Sequence, residues 1–241
     1  MLGRMFTAQR IEIGDHVVQV RDEGTHIVYV RTDSIDSSEK KFILSKDIEL
    51  RLVPIYPIFY PKFITQYILC ELEEDIVIGP GSHTTVSILI PVDLAIYAYS
   101  GNSFRIIDII PLHRDAKYTL YGYTTYGYPR SGIVARYCRS KLVRQNSSVE
   151  GYALSIITIR NCMGKVAKVR KILLDASPLR LYYREGVWSV FTQSIVMNIV
   201  TDTSAVIYYE KPIDPMAIPI DDPETLKPPR ISNRTDMLYG Y

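Results

Sequence analysis

YILCELEEDIVIGPGSHTTVSILIPVDLAIY, residues 67–97, is the stretch whose reading decides the fold. Ile, Val, Leu and Tyr crowd it, and β-branched and aromatic side chains suit a pleated, half-buried surface. Residues 66–72 and 76–78 are expected strands, with Glu73-Glu74-Asp75 as an exposed turn between them. Gly79-Pro80-Gly81-Ser82 is a strong turn, because Gly and Pro supply the dihedrals that tight turns need. Strands at 84–90 and 92–99 follow, and Gly101-Asn102 turns the chain into another at 104–110. Closely spaced strands with tight turns point to a β-sandwich.

The same style extends in both directions. Upstream, strands are expected at 10–13, 16–21 and 25–31, with Gly14-Asp15 and Glu23-Gly24 as hairpin turns, then at 41–44 and 48–53. Pro54, Pro57 and Pro61 interrupt the aromatic run that follows and exclude a central strand there. Downstream, the expected strands are 117–121, 133–142, 152–160, 166–174, 179–183, 187–198 and 205–210. No long window keeps a 3.6-residue period. From Lys211 onward six prolines mark an extended tail without a core of its own. The expected architecture is all-β: two β-sandwich-like domains, 1–112 and 113–210, and a Pro-rich C-terminal tail, 211–241.

Charge follows the same division. Residues 1–112 hold 10 Lys/Arg against 15 Asp/Glu, and residues 113–210 hold 14 against 6. A basic half at net +8 suits a polyanion or an anionic membrane surface, and equally suits the acidic half of its own chain. Three isolated cysteines without a CxxC pair exclude a disulfide scaffold and a thiolate zinc site, and fit a reducing interior. The N-terminus shows no signal-peptide pattern, and no apolar run reaches 18 residues.

Residues 117–141, KYTLYGYTTYGYPRSGIVARYCRSK, hold the densest bias in the chain. Tyr combines a large apolar ring with a polar tip, and Arg stacks on such rings and pairs with anions. Tyr121, Tyr123, Tyr126, Tyr128, Arg130, Arg136 and Arg139 are therefore candidate binding residues, although Tyr faces are also ordinary in strands. Asp93 and Asp108 interrupt apolar strands and need partners if buried. The expectation is an ion pair with Arg130, Arg136 or Arg139. The four histidines are isolated, and His16 and His26 could at most face each other across the first hairpin. Ser82 and His83 adjoin but would point to opposite strand faces. Catalytic residues, a metal site and a cofactor are not expected.

TLYG (119–122) and YPRSGIVARYCRSKL (128–142) together resemble the central signature of an archaeal family of uncharacterised proteins, domain of unknown function 432. Residues 67–97 and VRKILLDASPLRLYY (169–183) are similar to further parts of it, so the resemblance runs to about Lys211. It implies an archaeal, cytoplasmic protein and supplies no catalytic residues. It also implies genes encoded near small mechanosensitive channels, which makes a membrane-associated protein partner an expectation. The leading functional expectation is a non-catalytic binding or assembly module, with the tail available for homodimerisation. Nucleic acid or an anionic membrane surface is the alternative ligand, and an enzyme of unrecognised type is the weakest reading.

Overall fold

The computed structural model describes residues 2–5, 9–35, 37–101, 103–122, 132–145 and 147–220. The first strands are β1 (Gly3–Met5), β2 (Arg10–Ile13), β3 (His16–Asp22), β4 (His26–Asp33), β5 (Glu39–Ser45) and β6 (Glu49–Ile55). Then come β7 (Tyr67–Ile78), β8 (His83–Pro91), β9 (Asp93–Ser100), β10 (Ser103–Ile110), β11 (Tyr118–Tyr121) and β12 (Ile133–Ser140). The chain continues with β13 (Leu142–Val143), β14 (Tyr152–Asn161), β15 (Ala167–Asp175), β16 (Leu181–Tyr183), β17 (Val190–Thr201), β18 (Ser204–Pro212) and β19 (Ile218–Pro219). No helix forms among the described residues, so the fold is all-β.

Four sheets form, and they pack in two pairs. The meander β2-β3-β4-β5 lies against the antiparallel sheet β1-β6-β9-β10. The phenol of Tyr29 on β4 reaches Asp108 on β10, fixing that contact. The mixed sheet β11-β12-β7-β15 lies against the largest sheet, β13-β8-β14-β17-β16-β19, with β18 also paired to β17. There the Tyr209 hydroxyl donates to the carbonyl of Asp175 and accepts from its amide. One continuous apolar cluster, from Leu2 to Ile199, joins all four sheets.

The strand pairing does not follow the division at residue 112. β7 lies between β12, to which it runs parallel, and β15. β8 pairs with β13 and β14. Residues 67–91 of the acidic half are thus built into the sheets of the basic half. The chain then passes through Val92 directly into β9 of the other sandwich, so one extended run serves both.

Three local expectations are corrected. Glu73-Glu74-Asp75 is not a turn, because β7 is continuous and bulges there: Val169 faces Ile76 and Lys171 faces Glu71, leaving residues 72–75 opposite Arg170 alone. Pro54 sits inside β6, opposite Leu94. β1 faces β6 at residues 50–52, so among the described residues β9 is the one neighbour at Pro54, where a missing N–H is tolerated. Residues 211–220 are not a coreless tail, since β18 runs to Pro212, Ala217 is buried and β19 pairs with β16.

Candidate recognition surface

β11 and β12 form a two-stranded ribbon at the edge of the mixed sheet. Its inner end is anchored. Ala135 and Arg136 are buried, the Arg136 guanidinium lies 5.6 Å from the centre of the Tyr118 ring, and its Nη2 donates to the His113 carbonyl at 3.1 Å. Its Nε and Nη1 find no hydrogen-bond partner among the described residues. The outer end is different. Leu120 faces Val134 and Tyr121 faces Ile133, and these four side chains are 44, 37, 36 and 38% exposed. Successive cross-strand pairs point to opposite faces of a ribbon. Both faces of the outer end are therefore partly exposed, and they carry apolar side chains. Gly132 lets the strands close, because a Cβ there would lie 2.7 Å from Leu120 Cγ.

Of the candidate binding residues, Tyr121 and Arg139 are exposed on this ribbon and its strand. Arg136 is a buried strut under Tyr118 and does not face solvent. Tyr123, Tyr126, Tyr128 and Arg130 lie outside the described residues.

Of the expected arginines, Arg136 acts on Asp93 through its charge, while the hydrogen bonds of both buried aspartates go to other groups among the described residues. Asp93, at the passage from β8 to β9, accepts the amides of Leu112 at 2.9 Å and His113 at 3.4 Å. Burial raises its pKa above the ordinary carboxylate value, against those amides, His113 and Arg136. Asp108 is held by the N-terminal meander instead of by the basic half. Tyr29 donates to its Oδ2 at 2.9 Å, Lys40 Nζ lies 2.9 Å from Oδ1, and Arg31 Nε lies 2.7 Å from Oδ2. A bulge aims it there. Ile106 faces Tyr97 and Asp108 faces Ile96, so Ile107 is an extra residue that flips the alternation.

The Asp108 cluster continues into a network that sequence reasoning missed. His16 is buried, with Nδ1 3.3 Å from Arg31 Nη1 and Nε2 3.2 Å from the Pro111 carbonyl. A donor at Nδ1 and an acceptor at Nε2 assign the neutral Nε2–H tautomer. Burial lowers the His16 pKa, Arg31 and Arg114 lower it further, and the Pro111 hydrogen bond and Asp33 oppose them. Asp33 lies 3.4 Å from His16 Nδ1 and accepts Arg114 Nη2 on both oxygens at 2.7 Å. His16 does not face His26, which pairs in register with Ser45 and lies 3.3 Å from Glu23. The signal was available, since His16, Val18 and Val20 share one phase of β3.

The basic strand β15 is largely neutralised. Lys168 Nζ lies 2.7 Å from Asp75, and Arg170 spans the β7 bulge to Glu71 at 3.7 Å and Asp75 at 3.6 Å. Cys70 and Cys138 are in register on β7 and β12, both buried, and burial pushes the Cys70 thiol up to about 11. Such thiols are protonated and inert. Among the described residues, no group of three His, Cys, Asp or Glu is placed to hold a metal. A recess lined by Arg4, Met5, Val20, Ile27, Lys46, Ile48, Glu49 and Leu50 has a volume of about 170 Å³, below the roughly 300 Å³ at which small-molecule clefts begin.

Fold and surface together define an all-β protein with buried ion-pair networks and an edge ribbon, β11–β12, whose outer end exposes four apolar side chains. The chain belongs to the family described as "Protein of unknown function (DUF432)", whose model it matches over residues 3–237. No curated protein and no solved structure matches it significantly.

Proposed function

We propose that this chain is a non-catalytic binding or assembly module of the archaeal cytoplasm, and that it recognises a protein partner through the β11–β12 ribbon and the Tyr/Arg segment 117–141. The observation that carries this reading is the exposure of Leu120, Tyr121, Ile133 and Val134 on both faces of the ribbon. Apolar side chains left exposed together at a sheet edge are what a protein interface buries at its centre. Polyanion binding through the basic half has less support, because Lys168 and Arg170 of β15 already pair with carboxylates of β7.

The test is affinity purification from native cells at moderate salt, with nuclease and mild detergent so that a membrane-associated partner is retained. The wild-type chain is compared with the double variant Leu120→Asp, Ile133→Asp. A stoichiometric protein held by the wild type and lost by the variant is the expected result. Recovery of the chain alone, or a partner that the variant still holds, would sink the reading.

A further inference from the structure

The largest sheet leaves one long edge in an unusual state. β18 pairs with β17 on one side and has no strand on the other among the described residues. A free edge presents unpaired N–H and C=O groups and is commonly guarded by charge. β5 carries Glu39, Lys40 and Lys41, and β15 carries Lys168, Arg170 and Lys171. The first six residues of β18, SAVIYY, carry no charge at all, and Val206 and Tyr208 are exposed. An edge of this kind is built to be covered.

The path of the chain indicates what covers it. β16 and β18 lie end to end on the same side of β17, with Leu181 opposite Thr192 and Pro212 opposite Gln193. Both run antiparallel to β17. β19 lies outside β16 and antiparallel to it, Ile218 facing Tyr183 and Pro219 facing Tyr182. The Ile220 amide then donates to the Leu181 carbonyl at 3.1 Å. Each residue of β19 thus moves the chain toward Pro212, and Ile220 leaves it heading for the start of the free edge.

The sequence beyond that point keeps the same phase. The amide of Ile220 points inward to its neighbour, whereas Pro219, with no N–H, points outward. In a strand continued from β19, alternation would make 222, 224 and 226 inward donors and leave 221, 223, 225 and 227 outward. Pro223 would fall on an outward position, where proline is tolerated. Pro228 would be the first proline on an inward position, with Pro229 after it, so such pairing would end at Lys227. Leu226 would share the phase of Ile220, which packs on the core as Ile207 and Tyr209 do. Seven residues extend about 23 Å, enough for most of β18.

We propose that the free edge of β18 is a strand-docking site, and that its occupant is residues 221–227 of the same chain, added antiparallel as the continuation of β19. The test is amide hydrogen exchange on the full chain and on a chain ended after Ile220. Removal of 221–241 should speed exchange across 204–212 by at least about tenfold, while β14 exchange stays unchanged. Proline substitution tests the phase: Glu224→Pro removes an inward donor and should reproduce the truncation, whereas Thr225→Pro should not. Equal exchange in β18 with and without the tail would overturn the proposal. So would equal effects of the two prolines. Protection of β18 that rises with protein concentration would assign the edge to a second copy of the chain and overturn it as well.

Discussion

Asp108 shows how one residue ties two sheets together. Its carboxylate is fully enclosed, and Tyr29, Arg31 and Lys40 converge on it from the opposing meander. Removing one member of a buried ion pair leaves the other charge uncompensated. Asp108→Asn should therefore lower the unfolding free energy by about 3 kcal/mol, read from urea denaturation. Beside it, His16 makes stability depend on pH. Its folded pKa lies below the unfolded value near 6.5, so the unfolded chain takes up the proton first. The neutral ring's contribution is complete above pH 6.5 and is lost as pH falls below it, because the proton must enter beside Arg31 and Arg114. His16→Gln should flatten the fall in stability on acidification below pH 6.5, read from urea denaturation at a series of pH values. A variant as pH-sensitive as the wild type would remove His16 as the cause. The need of Asp108 for a partner was readable from its place within IIDII, but the identity of that partner was not. The extra residue Ile107, which turns the carboxylate toward β4, leaves no mark in the alternation of apolar letters.

At the scale of elements, turn chemistry and β-branched runs located most strands, and the errors have one physical source. Local reading sees a residue's preference and not its neighbours across the sheet. Glu73-Glu74-Asp75 reads as a turn, yet Lys168 and Arg170 on β15 hold Asp75, and Arg170 also Glu71, against a bulged but unbroken strand. Pro54 reads as a strand breaker, yet β1 stops two residues short of it. The candidate surface was legible to the same degree: the Tyr/Arg bias marked 117–141, but it could not separate Arg136, anchored beneath Tyr118, from Arg139, which faces water. Exposure also makes a discriminating prediction for the ribbon. Leu120 and Ile133 make little of the core, so Leu120→Asp with Ile133→Asp should change thermal unfolding by no more than about 0.5 kcal/mol while abolishing partner binding. A variant that lost several kcal/mol would show the ribbon packed against the body in solution, and its loss of binding would then carry no weight.

For the molecule as a whole, the change of charge at residue 112 marks complementarity and not a boundary. The acidic half sends β7 and β8 into the basic half, where Glu71 and Asp75 meet the cations of β15. Ile68, Cys70, Leu72, Ile88 and Ile90 are buried in the common core from strands whose neighbours β12, β14 and β15 all come from the basic half. A chain of residues 1–112 would expose two long apolar strands with unpaired edges, which is a template for aggregation. A chain of residues 113–241 would lack the central strand of its mixed sheet, and β12 would lose its parallel partner. Parallel pairing has no local hairpin to bring it together, so neither fragment can recover it alone. Both fragments, expressed separately, should fail to show a cooperative thermal transition by circular dichroism. If residues 1–112 melted cooperatively, the meander and its partner sheet would form without β7 and β8 in place. The two sandwiches would then be separable, and the shared run through Val92 would be a tether instead of a common core.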